Sequence, residues 1–308
     1  MRKLNYSEQT EWKLWYDRPA SRWEEALPVG NGRIGGMVFG GIHRERIALN
    51  EDTLWSGFPR DPQNYDVLRH LGPARELIFA GKYKEAEKLI DAKMLGRRTE
   101  SYQPLGDLWL EQGDSATEAD GNELRGFRRE LDLATGIATT TYRIGGAEYR
   151  REVFISAVDQ VMVLRITALG SEPVNMAASL DSLLRHQAFG GPAGTARICM
   201  RGQAPSHIAD NYRGDHPQSV LYEDGLGLTF EAQLLALPEG GGTVQADASG
   251  RLTVSGAKAV TLLLAAATDY AGYDQAPGSG GIDPAERCQA ALDAAAALGY
   301  EQLRQRHE

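Results

Sequence analysis

The stretch Leu27-Pro28-Val29-Gly30-Asn31-Gly32-Arg33-Ile34-Gly35-Gly36-Met37-Val38-Phe39-Gly40-Gly41, continued by Ile42–Arg46 and Ile47-Ala48-Leu49-Asn50-Glu51-Asp52-Thr53-Leu54-Trp55-Ser56-Gly57, decides what fold this chain can have. Within it, Gly30-Asn31-Gly32-Arg33-Ile34-Gly35 matches the dinucleotide-binding pattern GxGxxG, and Asp52 stands about 20 residues on, where that motif places its acidic residue. The motif works only between a strand and a helix, because the helix N-terminus holds the pyrophosphate. Here the glycines run into Met37-Val38-Phe39-Gly40-Gly41, which has no helical period. Glycine is costly inside a helix and common where a strand bends or another backbone comes close. The stretch therefore predicts two short strands, about Ile34–Phe39 and Arg46–Leu49, joined by a Gly-rich turn, with a polar-aromatic loop beyond them.

Outward from this hairpin, Trp12–Tyr16 reads as an opening strand. Ser21-Arg22-Trp23-Glu24 fits a capping box, so a helical turn is expected over Ser21–Ala26, ending at Pro28. Asp61–Gly96 is the helical part of the first half. Pro73 suits a first helical position, Leu77 and Ile78 an inner face, and Gly81 a stop. A second helix is expected over Lys82–Leu95, with Tyr83, Ala86, Ile90 and Met94 at helical spacing.

From Tyr102 the pattern changes to strands: Asp107–Glu111, Arg128–Leu133, Ile137–Ile144, Glu148–Ile155, Val161–Ala168, Val174–Leu184, Arg197–Arg201, Gly227–Leu237, Leu252–Val254 and Ala259–Ala266. Gly145-Gly146, Gly240-Gly241-Gly242 and Ser249-Gly250 mark turns. The continuous apolar run Ala259–Ala266 is expected to be buried on both faces. Many short strands separated by turn signals indicate a sandwich or barrel. Ala276–Asp283 reads as a linker, after which Asp283 caps a helix from Pro284 with Cys288, Leu292, Ala295 and Ala296 on one face. Gly299 interrupts it before Tyr300–Glu308.

A chain of 308 residues with 42% hydrophobic content can bury a substantial core. All-β units of roughly 200–250 residues are often single domains. The net charge of −9 and the lack of any Lys/Arg cluster argue against nucleic-acid and membrane-surface partners. Cys199 and Cys288 lie far apart in no CxxC pattern, which points to buried thiols. No run approaches the ~18 apolar residues of a membrane span. Met1–Glu8 has a basic start without an apolar h-region, so a cytoplasmic location is expected.

Two loops combine aromatic, amide and carboxylate groups as sugar sites do: Asn50–Gly57 and Tyr102-Gln103-Pro104-Leu105-Gly106-Asp107-Leu108-Trp109. Sugars stack their C–H faces on rings and present hydroxyls to fixed polar groups. Glu51, Asp52 and Asp107 could supply the paired carboxyls of a glycosidase. The plainer alternative is that Asn50 and Asp107 make turn hydrogen bonds while Trp55 and Trp109 fill the core. His207, Asp210, Asp215 and His216 share one loop, in an order that fits no metal-ligand spacing. His43 sits in the hairpin turn, and His70 and His186 have no partner identifiable from sequence. Neither a metal nor a cofactor is expected.

Four segments together resemble the N-terminal domain of glycoside hydrolase family 95, whose members are α-L-fucosidases and some α-L-galactosidases. They are PVGNGRIGGMVFGG ending at Gly41, LNEDTLWSG over Leu49–Gly57, FAGKYKEAEKL over Phe79–Leu89 and YQPLGDL over Tyr102–Leu108. Weaker similarity continues through Tyr149–Glu152 and Thr268-Asp269-Tyr270. The resemblance implies a mainly β fold: a large antiparallel β-sandwich (super-sandwich) over residues 1–283, with a helical insertion near 65–95. Residues 284–308 would begin a helical linker toward an (α/α)6 barrel that carries an inverting mechanism, with a Glu acid and an Asn base activated by an Asp. No catalytic residue maps onto this chain, which is expected to lack that barrel and to be inactive alone. Asn50, Glu51, Asp52, Trp55, Tyr102, Gln103 and Asp107 become candidates for the rim of the substrate pocket or the domain interface. The expected partners are the barrel and a fucosylated or related oligosaccharide. A free-standing carbohydrate-binding sandwich is the alternative.

Overall fold

A computed structural model describes residues 12–113, 124–192, 194–210, 214 and 216–308. The first half contains β1 (Lys13–Tyr16), β2 (Leu27–Gly30), β3 (Ile34–Val38), β4 (Arg44–Glu51), α1 (Val67–Phe79), α2 (Tyr83–Lys93) and β5 (Gly106–Gln112). Then follow β6 (Arg128–Asp132), β7 (Ile137–Ile144), β8 (Ala147–Ile155), β9 (Met162–Ala168), β10 (Val174–Asp181), β11 (Arg185–Gly190) and β12 (Arg197–Gln203). The remainder is β13 (His207–Ile208), β14 (Val220–Leu221), β15 (Thr229–Glu239), β16 (Thr243–Ala246), β17 (Arg251–Ala257), β18 (Ala259–Thr268), α3 (Pro284–Ala296) and α4 (Tyr300–His307).

Two antiparallel sheets face each other. One has nine strands in the order β1-β6-β7-β8-β9-β18-β15-β12-β11, the other seven in the order β16-β17-β10-β5-β4-β3-β2. The mainly β sandwich expected from sequence is therefore the observed fold. Strand alternation builds the layer between the sheets: Ile47 and Leu49 of β4 and Leu108 and Leu110 of β5 meet Leu164 and Ile166 of β9 and Leu262 and Leu264 of β18.

All ten residues of β18 are buried, as the apolar run requires. Val260, Leu262, Leu264 and Ala266 face the other sheet. Leu263, Ala265 and Ala267 face outward onto Cys288, Leu292 and Ala295 of α3 and Tyr300 and Leu303 of α4. The two C-terminal helices thus fold back over the outer face of the nine-stranded sheet, and Ala296 lies at the half-buried margin. Asp283 caps α3 by accepting from Ala285 N at 2.8 Å, with Pro284 at the first position. Gly299, at φ +75°, separates α3 from α4.

The focal hairpin forms β3 and β4, and its glycines serve close packing. A Cβ on Gly36 would lie 2.6 Å from Met162 Cε of the opposite sheet, and one on Gly41 only 1.9 Å from Arg44 O. The turn wraps a buried carboxylate: Glu45 accepts from Phe39 N at 3.0 Å and Gly40 N at 2.9 Å and pairs with buried Arg151, which also donates to Gly41 O at 3.0 Å. Burial pushes the Glu45 carboxyl above its ordinary range, against the opposing pull of Arg151.

Several expectations need correction. Ser21 donates from its backbone N and its hydroxyl to Glu25, not Glu24, both at 3.0 Å, and these bonds hold Glu25 down to about 2. The helical turn is shorter than expected, Trp23–Glu25, and Pro28 lies inside strand β2 instead of ending the turn. Pro73 sits within α1, which starts at Val67. It is exposed there, so the carbonyl it leaves without an N–H partner can face water. Ile78 and Tyr83 are exposed, not inward, and the helical hairpin fully buries only Ala74 and Ala86. Trp109 lies on the outer face of the seven-stranded sheet beneath Arg44, 4.0 Å from its ring, instead of filling the core. Among the described residues, no helix is long and apolar enough to cross a membrane.

Candidate functional site

The Asn50–Gly57 and Tyr102–Gln103 segments meet. Trp55 and Tyr102 form an antiparallel bridge, and their rings stand 5.5 Å apart at 58°. Gln103 N donates to Leu54 O at 2.9 Å, and Tyr102 Oη donates to Glu51 O at 3.1 Å. Burial is the chief cause that raises the Tyr102 phenol. Buried Leu54 and Leu105 anchor both loops from below, so the aromatic pair is held by the fold.

The candidate residues take different positions. Glu51 is buried beneath the loop, where it accepts from Thr53 N at 2.8 Å and Thr53 Oγ1 at 2.7 Å and pairs with Arg33 at 3.4 Å. Burial raises its carboxyl, and the Thr53 bonds oppose that shift. Gln103 is buried too and braces the Ser101 and Tyr102 carbonyls. Asp52 and Trp55 reach solvent. Asp107 lies on the outer sheet face, bonded to Arg46 at 2.8 Å, and is not part of the cleft wall.

That cleft, about 520 Å³, is lined by Asp52, Trp55, Phe58, Tyr270, Tyr273 and Gln275 among others. Its volume and its mixture of rings with a few polar groups suit a small organic ligand. Sequence reasoning missed Glu100 in its wall. Glu100 accepts from Ser56 Oγ at 2.9 Å and Ile208 N at 3.2 Å, lies 2.9 Å from His207 Nδ1 and pairs with Arg60. One carboxylate thereby ties the Trp55 loop to the 205–210 segment. It could have been suspected only from the adjacent YQPLGDL segment, since nothing in its own neighbourhood marks it. Tyr270 and Tyr273 were likewise missed as site residues: they lie between β18 and the linker expected over Ala276–Asp283, and Tyr270 stood out only as part of the weaker resemblance at Thr268-Asp269-Tyr270.

The remaining histidines are dispersed. His43 lies beneath its turn, and His186 contacts Asp181 at 3.3 Å and Leu184 O at 2.9 Å. His207 and Asp210 line a separate polar cavity of about 600 Å³ with Arg60, Arg97 and Arg98. Asp215 falls outside the described residues. Among the described residues, no group of three or more His, Cys, Asp or Glu side chains is arranged to hold a metal.

Residues 14–273 match the family described as glycosyl hydrolase family 65, N-terminal domain. The chain belongs to that family. This family 65-type domain is 33% identical over 300 residues to "Alpha-L-fucosidase 2" of Arabidopsis thaliana, covering 96% of the chain and 35% of the relative. It is 27% identical over 270 residues to "Probable alpha-fucosidase A" of Aspergillus niger, covering 83% of the chain and 30% of the relative. The chain thus spans about a third of the length of the curated relatives it matches. A solved structure, "Putative kojibiose phosphorylase from human microbiome", superposes with a TM-score of 0.53 at 12% identity, over 97% of this chain and 37% of that one. At that identity the likeness is one of fold. The N-terminal, α-L-fucosidase-like character expected from the four sequence segments is borne out.

Proposed function

We propose that this chain is the N-terminal accessory domain of a family 95-like inverting glycoside hydrolase, an α-L-fucosidase or α-L-galactosidase. In this role it packs on an (α/α)6 catalytic barrel and borders the substrate pocket with the Trp55–Tyr102 wall. The observation that carries the proposal is the cleft itself: exposed rings and a free Asp52, braced from below, on a domain whose named relatives are fucosidases about three times its length. Glu51 is buried and Asp107 is remote from the cleft, and of the two carboxylates in its wall Glu100 is held by Ser56, Ile208, His207 and Arg60, which supports a bordering and not a catalytic role. Leu68, Phe79 and Tyr83 of the helical hairpin are 77%, 87% and 68% exposed, as a domain-docking surface would be.

Incubating the 308-residue chain with an aryl α-L-fucoside tests this directly. No turnover above a buffer blank is expected; turnover abolished by Glu51→Gln or Asp107→Asn would overturn the proposal. A free-standing carbohydrate-binding module is favoured by one observation, the 86% exposure of Tyr273 at the cleft. On that reading Trp55→Ala and Tyr273→Ala would each weaken binding of fucosylated oligosaccharides by the chain alone.

A further inference from the structure

A second cavity, about 310 Å³, lies on the other side of the Asp52–Thr53 turn from the aromatic cleft, between β18 and the first turns of α3. The two share Asp52, Thr53 and Tyr270 as walls. The space exists because the facing side chains are small. Ala265 and Ala267 point outward from β18 and Ala291 faces them from α3, whereas Leu263 and Leu292 close the same interface elsewhere.

Its charged groups fall into two classes. Arg33 and Glu51 are engaged within the protein. Arg33 donates to Gln160 Oε1 and to Ala266 O, both at 2.6 Å, and pairs with Glu51, which is held by Thr53. Asp52 and Arg287 are exposed, and neither side chain makes a hydrogen bond or ion pair among the described residues. A free acceptor and a free planar donor therefore border one alanine-floored cavity.

We propose that this cavity is a carbohydrate subsite for one neutral pyranose ring, with Asp52 and Arg287 as its hydrogen-bonding groups. A carboxylate accepts from two adjacent ring hydroxyls, and a guanidinium donates to two oxygens at fixed separation. The alanine floor lets the C–H face of a ring lie flat, and the Tyr270 ring closes one side. Arg33 and Arg287 are balanced by Glu51 and Asp52, so nothing in the site selects an ionised sugar. The volume is at the lower end of the ~300–1,000 Å³ typical of small-molecule sites, which matches one ring and not a chain. The subsite belongs to this chain alone and does not depend on the accessory-domain proposal.

The test is amide NMR of the isotope-labelled chain titrated with methyl α-L-fucopyranoside, methyl β-D-galactopyranoside and methyl α-D-glucopyranoside. At least one should produce saturating shifts at Ala265–Ala267, Tyr270 and Arg287–Ala291. Arg287→Ala and Asp52→Ala, both at exposed positions, should each weaken binding by about tenfold or more. Ala291→Leu, which fills the cavity, should abolish those shifts while Tm holds or rises. The inference is overturned if no glycoside gives saturating shifts there, or if Arg287→Ala leaves the affinity unchanged. Shifts confined to Trp55, Phe58 and Tyr273 would also overturn it, while supporting the separate aromatic cleft. Turnover of an aryl fucoside bears on the accessory-domain proposal and leaves this one untouched.

Discussion

Glu45 is an acidic residue with no solvent route, and its surroundings explain the glycines that first draw the eye. Two backbone N–H groups of the turn and the Arg151 guanidinium converge on it. Such convergence needs the main chain to pass closer than any side chain allows. Gly41→Ala would set a Cβ against the Arg44 carbonyl and should destabilise by about 3 kcal/mol, read as a fall in the urea midpoint. A wild-type midpoint would show that the turn can move aside. Removing one charge is a separate matter. Arg151→Met leaves Glu45 buried without its counter-ion and should cost about 3–5 kcal/mol, whereas Glu45→Gln with Arg151→Met keeps an acceptor for the turn and should cost less than that single change. Equal losses in the two variants would mean that the uncompensated Glu45 charge is not what the single change costs. His307 offers a pH test at the same scale. Its ring stacks on Phe154 at 4.6 Å, and burial lowers its pKa from the ordinary 6.5. The neutral ring is the form the fold favours, so its contribution is complete above 6.5 and declines as pH falls toward the lowered folded value, where the unfolded chain takes up the proton first. His307→Phe should retain the stack and flatten this part of the Tm-versus-pH curve. An unchanged acid slope would assign the loss to other groups.

Helices α3 and α4 hold the outer face of the nine-stranded sheet with a handful of apolar side chains. Leu292→Ala should therefore cost about 2–5 kcal/mol by thermal or urea unfolding, because its cavity would open inside the second core. A loss below about 1 kcal/mol would mean that the helices are only loosely seated. This helix was legible in sequence because Asp283, Pro284 and the apolar positions agree with one another. Ile137–Ile144 was legible to the residue for the same reason, β-branched alternation ending at a Gly-Gly turn. Strands β2, β11 and β16 were not seen, and all three are sheet edges. An edge strand packs against one neighbour only, so its sequence is free to carry Pro28 or the polar run Arg185-His186-Gln187. Helix α1 starts six residues ahead of Pro73, whose sequence signature is that of a start signal, because an exposed proline can ride within a helix. At the candidate site, Trp55 and Tyr102 both stand out in sequence through their motifs, but their contact, and the company of Glu100, Tyr273 and Arg287, come only through the fold.

At the scale of the whole molecule, β18 links the two cores. It lies between β15 and β9, is paired on both edges, and touches the inter-sheet layer with one face and α3 with the other. The helical hairpin is the opposite case, with two buried alanines and large apolar groups in solvent. The aromatic cleft and the alanine-floored cavity both sit near the C-terminal end of β18, where Ala266 accepts from Arg33 and Thr268 leads into Tyr270.

That placement sets how the protein would release its amide protons to heavy water. Exchange at Leu262–Leu264 requires both layers to separate at once, so those amides should report the global unfolding free energy and be the last to label. Amides of α1 and α2 should label through local openings much earlier. A ligand held against the end of β18 would then slow the latest-exchanging amides of the molecule, whereas one held by the hairpin would slow only the earliest. Isotope labelling in time could thereby distinguish where a ligand binds without any change in shape.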